Sequence, residues 1–83
     1  MTLRPTAAPA QQLMSMYWSE QQPHPQPGRI THSTYRLIHL ALVETSPDGL
    51  TVTLTPAGRE EAQRLIRTPA GQEYMRHAEE PRT

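Results

Sequence analysis

The histidines, arginines and hydroxyls of this chain are the residues that could do chemistry, and their spacing limits what that chemistry is. His24, His32, His39 and His77 are scattered. His32 and His39 would share a helix face but stand two turns apart, about 10 Å along the axis, too far to hold one ion. There is no HExxH pair and no cysteine, so no metal site is expected. Ser15, Ser19, Ser33 and Ser46 sit in no nucleophile motif, Asp48 falls in a turn, and Glu60-Glu61 reads as a solvated helix start. No glycine-rich phosphate loop is present, so neither a catalytic residue nor a cofactor is expected. A different chemistry is open to His32, Arg36 and His39, which fall on the polar side of a helix, with Ser33 and Tyr35 on its borders. An arginine there can donate two bonds to guanine O6 and N7. Ser33 and His32, near a helix start, can meet a phosphate.

The elements that position these residues can be read along the chain. Residues 1–8 lack periodicity and contain Pro5, which predicts a loose arm. Pro9 suits a first helical turn. A helix follows through Gln22, with Ala10, Leu13, Met14 and Tyr17 as its stripe and Trp18 widening it. Three alternating prolines then predict a stiff, extended connector over 21–28. Thr31 or Ser33 caps the next helix, over 32–41, whose inner face is Thr34, Leu37, Ile38 and Ala41, flanked by Leu40. Ser46-Pro47-Asp48-Gly49 is a turn. It joins Leu42–Thr45 to the strictly alternating Leu50–Thr55, whose apolar Leu50, Val52 and Leu54 should pack on the helices.

Thr55-Pro56-Ala57-Gly58 opens a helix with Ala62, Leu65 and Ile66 as its buried stripe. Thr68-Pro69-Ala70-Gly71 repeats the phrase and starts a last helix carrying Tyr74 and Met75. The expected organisation is an arm at 1–8, one domain over 9–68, and a helix and tail at 69–83. The fold class is α+β, with helices around a two-stranded hairpin.

Composition narrows the function. The 83 residues carry eight arginines, no lysine and eight acidic side chains, for a formal net charge of zero. Proteins whose main work is gripping nucleic acid usually carry a basic excess, because phosphate neutralisation dominates affinity. A chain this short has a small core, which favours a homodimer. No apolar run has the length of a signal peptide or membrane helix, which predicts a cytoplasmic protein with no membrane partner.

The segment 29–65 resembles a reduced winged helix-turn-helix domain. Ser33-Thr34-Tyr35-Arg36-Leu37-Ile38-His39-Leu40 is similar to the recognition helix of such domains. Ala41-Leu42-Val43-Glu44 resembles their "GLVE" step into the first wing strand, with Ala41 in place of glycine. Leu54-Thr55-Pro56-Ala57-Gly58-Arg59 resembles the "LTPxGR" step from the second wing strand into the next helix, a phrase common in bacterial regulators of the multiple-antibiotic-resistance group. The usual second helix is replaced by the proline-rich connector, and the short wing tip carries Asp48 where a basic residue would grip the minor groove.

The resemblance implies a transcriptional regulator that reads duplex DNA with the 32–41 helix. Its contact residues would be Arg29, His32, Ser33, Arg36 and His39. The alternative is a winged-helix-like module, of the kind phages and mobile elements encode, that binds a host protein through Tyr17, Trp18 and Tyr74. A positive surface joining Arg29, Arg36 and Arg59 would favour DNA. An exposed apolar patch at Trp18 or Tyr74 would favour a protein.

Overall fold

Helix starts in this chain are written by Thr-Pro, Ala-Pro and Thr-His steps, and each becomes a helix in the computed structural model, which describes residues 3–25 and 28–79. The elements run α1 (Ala8–Glu20), β1 (Gly28–Arg29), α2 (His32–His39), β2 (Val43–Thr45), β3 (Thr51–Leu54), α3 (Pro56–Ile66) and α4 (Pro69–Glu79). The fold is small α+β, with an antiparallel sheet in the order β1-β3-β2. α1 is the hub: it packs against α2, α3, α4 and β3. Its Ala10, Leu13, Met14 and Met16 meet Leu37, Val43, Val52, Leu54, Ala62, Leu65 and Met75 in one core.

Besides the earlier end of α2, three features differ from the sequence expectation. The hairpin gains a third strand, since Gly28 pairs with Val52 and Arg29 with Thr51. The last residue of the proline-rich segment is therefore in the sheet, because Pro27 is followed by two residues whose N–H groups can join a ladder. Residues 26 and 27 of that connector lie outside the described residues.

The expected arm is the second difference. Leu3 is buried in the core cluster. Its N–H donates to Glu61 Oε2 at 3.0 Å and its carbonyl accepts from Arg64 Nη2 at 3.2 Å. A burying side chain and two partners on α3 outweigh the absence of any periodic pattern there. Residues 1 and 2 lie outside the described residues.

The third difference is Leu50, which is 69% exposed rather than packed on the helices. It precedes β3 at the turn, where Ser46 and Thr51 close the hairpin through a 2.8 Å bond from Ser46 N–H to the Thr51 carbonyl. Beyond that bond the chain has left the reach of the core. Asp48 builds this turn: its carboxylate accepts from the Ser46 hydroxyl and, at 3.0 Å, from Leu50 N–H. The Ser46 bond, helped by the Leu50 N–H, holds the Asp48 carboxyl below its usual range.

The end of α2 shows how the elements lock together. The helix stops at His39, not at Ala41. Leu42 N–H donates to the Leu37 carbonyl and Ala41 N–H to that of Ile38, both at 3.0 Å, the paired bonds of a Schellman ending. Ala41 takes the left-handed position, φ 59°, where a side chain is disfavoured. Thr55 grips this ending: its N–H donates to the Leu42 carbonyl at 3.1 Å and its hydroxyl to the Ala41 carbonyl at 2.8 Å. The same hydroxyl accepts Gly58 N–H at 3.0 Å to cap α3. Gly58 rests directly on Leu42, and a Cβ there would fall 1.9 Å from the Leu42 carbonyl oxygen.

Two stability predictions follow from these joints. Gly58→Ala should destabilise the fold by about 2–3 kcal/mol, because α3 must move off Leu42. Ala41→Gly should stabilise it by about 0.5–1 kcal/mol, by relieving the left-handed strain. Urea midpoints of the two variants, which should shift in opposite directions, check both.

The arm contact makes a prediction in acid. Arg64 donates to Glu61 through Nε at 2.7 Å and Nη2 at 2.8 Å. These bonds hold the Glu61 carboxyl below its usual range against the opposing push of burial, and the Leu3 N–H adds to the lowering. A carboxyl lowered on folding stabilises above its unfolded value, and that stabilisation is lost as pH falls through the folded one. The melting temperature should drop from about pH 5 downward, and Glu61→Gln should flatten that part of the profile.

Candidate nucleic-acid interface

Leu37 and Thr34 anchor α2, both fully buried. Turning those two inward fixes what the opposite side shows. His32, Tyr35, Arg36 and His39, at the spacing i, i+3, i+4, i+7, are all exposed and form one stripe along the helix. The eight residues of α2 include no carboxylate. Tyr35, placed by the sequence on the border of the polar face, belongs to the stripe and is 64% exposed. The signal that places it in the stripe is that same i, i+3, i+4, i+7 spacing, completed once Tyr35 is counted with His32, Arg36 and His39.

Ser33 lies off the stripe and is half-buried. It lines an open groove of about 340 Å³ with Gln12, Ser15 and Met16 of α1, Gly28 and Arg29 of β1, Thr31, and Tyr74 of α4. The five residues expected from sequence therefore divide. His32, Arg36 and His39 share the outward stripe, while Arg29 and Ser33 meet at the groove beside the N-terminus of α2.

A polar network sets the position of α2 relative to that groove. The buried Thr34 hydroxyl accepts the Thr31 N–H at 2.8 Å and donates to Gln12 Oε1 at 3.0 Å. Gln12 Nε2 in turn donates to the Arg29 carbonyl at 3.1 Å. The Thr31 hydroxyl donates to the same Gln12 oxygen at 3.3 Å. One glutamine of α1 thus holds both the strand that carries Arg29 and the first turn of α2. No buried side-chain polar atom among the described residues lacks a partner.

The other residues singled out from sequence are placed as follows. Tyr17, Trp18 and Tyr74 are half-buried and pack against the core. The Tyr17 hydroxyl accepts from Gln63 Nε2 at 3.1 Å, tying α1 to α3. Arg59 forms a two-point ion pair with Glu20, Nε to Oε2 at 3.0 Å and Nη2 to Oε1 at 3.2 Å. Its charge is matched at the end of α1 and adds nothing to a surface with Arg29 and Arg36. Among the described residues no three His, Cys, Asp or Glu side chains gather into a group that could hold a metal ion. No helix among them is long and apolar enough to cross a membrane.

Comparison with protein-family models, with curated proteins and with solved structures gives no match for this chain. Any functional reading rests on the geometry above.

The network makes its own prediction. Thr34→Val keeps the shape but leaves the Thr31 N–H without its acceptor and Gln12 Oε1 with only the longer bond from the Thr31 hydroxyl. It should cost about 1–3 kcal/mol in urea unfolding, whereas Ser33→Ala, half-exposed at the groove, should change stability by less than about 0.5 kcal/mol.

Proposed function

We propose that this is a small winged-helix-like DNA-binding protein, a transcriptional regulator that reads duplex DNA with α2. The observation that carries this reading is the exposed stripe His32, Tyr35, Arg36 and His39 on a helix without a carboxylate. Its architecture supports the same reading. A short strand precedes α2, a hairpin follows it, and the sheet order β1-β3-β2 sets that hairpin beside the helix. A strand before the reading helix and a hairpin after it follow the element order of a winged helix, with no helix among the described residues between α1 and α2.

In the proposed complex Arg36 donates two bonds to guanine O6 and N7, and His32 and His39 contact the flanking edges or backbone. Arg29 and Ser33, at the groove by the N-terminus of α2, take the phosphate. The hairpin turn contributes little charge, since Asp48 is committed to building it. The working unit is a homodimer, because a domain with so small a core gains stability from association and a paired half-site doubles the contacts.

A second reading has one specific observation behind it. Tyr35 and Leu50 are large apolar side chains left exposed, 64% and 69%, on a chain of zero formal net charge. Tyrosine and arginine side by side are also the common anchors of protein interfaces. On that reading α2 docks on a host protein, and the docking residues are Tyr35 and Arg36 rather than the half-buried Tyr17, Trp18 and Tyr74.

Fluorescence anisotropy with mixed-sequence duplex at two salt concentrations separates the two readings. The DNA reading expects binding at low salt that weakens as salt rises. Loss of Arg36 in Arg36→Ala should cost about 1–3 kcal/mol on a preferred sequence. Absence of binding at low salt would leave the protein-docking reading.

A further inference from the structure

Tyr35 lies outside the core cluster and outside the half-buried side chains packed against it. The core side of α2 is supplied by Thr34 and Leu37, with Ile38 and Leu40 packed at the margin. A ring 64% exposed between His32 and His39, beside Arg36, is an apolar surface held out on an otherwise polar helix face. The chain's formal net charge is zero, and Arg59 is matched by Glu20, so phosphate attraction supplies less of the affinity than it does on a basic domain. A duplex-reading helix on such a protein must draw more of its binding from the base edges themselves. Among those edges in the major groove, thymine alone offers an apolar group, its C5-methyl.

We propose that Tyr35 is a specificity-determining residue, its ring packing on the methyl of a thymine at the base pair next to the guanine addressed by Arg36. This rests on the DNA-reading function of α2 proposed above. Residues 35 and 36 are consecutive on the helix, so their side chains diverge by about 100° around its axis and reach neighbouring base pairs rather than the same one. A helix about 10–12 Å across fits a major groove about 12 Å wide, and the stripe from His32 to His39, about 10 Å long, spans about three base steps. Arginine and histidine donors direct the stripe toward acceptor edges and phosphates, and the ring takes the single neutral contact between them. The phenol oxygen at the far end of the ring is of the type that donates to phosphate oxygens.

The test starts from a pool of randomised duplex enriched by repeated binding to the full chain. On the enriched sequence, each thymine is replaced singly by deoxyuridine, which removes only the methyl group. Affinity is then read by anisotropy at fixed salt. One thymine, adjacent to a guanine, should show about a four-fold loss for the unmodified protein, the factor expected for one buried methyl. Tyr35→Ala should bind the thymine and uracil duplexes equally. Tyr35→Phe should keep the discrimination, and Arg36→Ala should bind more weakly yet still prefer thymine. Circular dichroism of Tyr35→Ala should match the unmodified protein, because the side chain is outside the core.

A uracil swap that is harmless everywhere, or equally harmful to Tyr35→Ala, would overturn the assignment and leave the duplex-reading function standing. Failure to enrich any duplex would overturn both. Preference for the single strand over the duplex, lost in Tyr35→Ala, would overturn it in favour of an unpaired base stacking on the ring.

Discussion

Thr55 and Gly58 hold the joint on which the remaining geometry depends. Within four residues the chain leaves β3, bonds back to both carbonyls that follow α2, and caps α3. Gly58 then brings α3 against Leu42 at a distance no side chain tolerates. Because Thr55 grips Ala41 and Leu42 in one place, the end of α2, the end of the hairpin and the start of α3 cannot move independently. The strain of a left-handed Ala41 is part of this arrangement, accepted where two elements must meet. The second Thr-Pro-Ala-Gly phrase repeats the device one helix later. The Thr68 hydroxyl donates to the Leu65 carbonyl at 2.6 Å and accepts Gly71 N–H at 3.0 Å. Gly71 sits on Leu65 as Gly58 sits on Leu42.

The other end of α2 is held by different means. There the constraint is a polar cluster built on Gln12, reaching from α1 to the Arg29 carbonyl and the first turn of α2. Its central hydroxyl, on Thr34, is fully buried, and its bonds offset the cost of taking a polar group out of water. A helix of two turns has little stability of its own. Clamped by Thr55 at one end and by Gln12 at the other, it becomes a rigid platform. Its outward stripe owes its direction to those two clamps.

Electrostatics gives the surface its character. Several charges are matched internally: Arg59 with Glu20, and Arg64 with Glu61. Asp48 is occupied by its own turn. α2 contributes no carboxylate of its own. A neutral protein whose exposed helix stripe joins an arginine, a tyrosine and two histidines is suited to recognition that relies on fitted contacts more than on long-range attraction.

The sequence by itself determined the local elements and their caps. Alternation over residues 50–55, the Thr-Pro starts and the apolar spacing of α2 and α3 each depend on neighbours within a few positions, which is why they are legible without a fold. His32, Arg36 and His39 were placed on one face for the same reason. Tertiary structure decided what local pattern cannot carry. Gly28 and Arg29 become a strand because β3 lies beside them with a free edge. Leu3 is buried because α3 offers Glu61 and Arg64 to its backbone. Leu50 is exposed because the hairpin closes before reaching it, although its alternation matches that of Val52 and Leu54. Tyr35 is outside and Tyr17 half inside, since a tyrosine suits either surface and only the packing partner chooses.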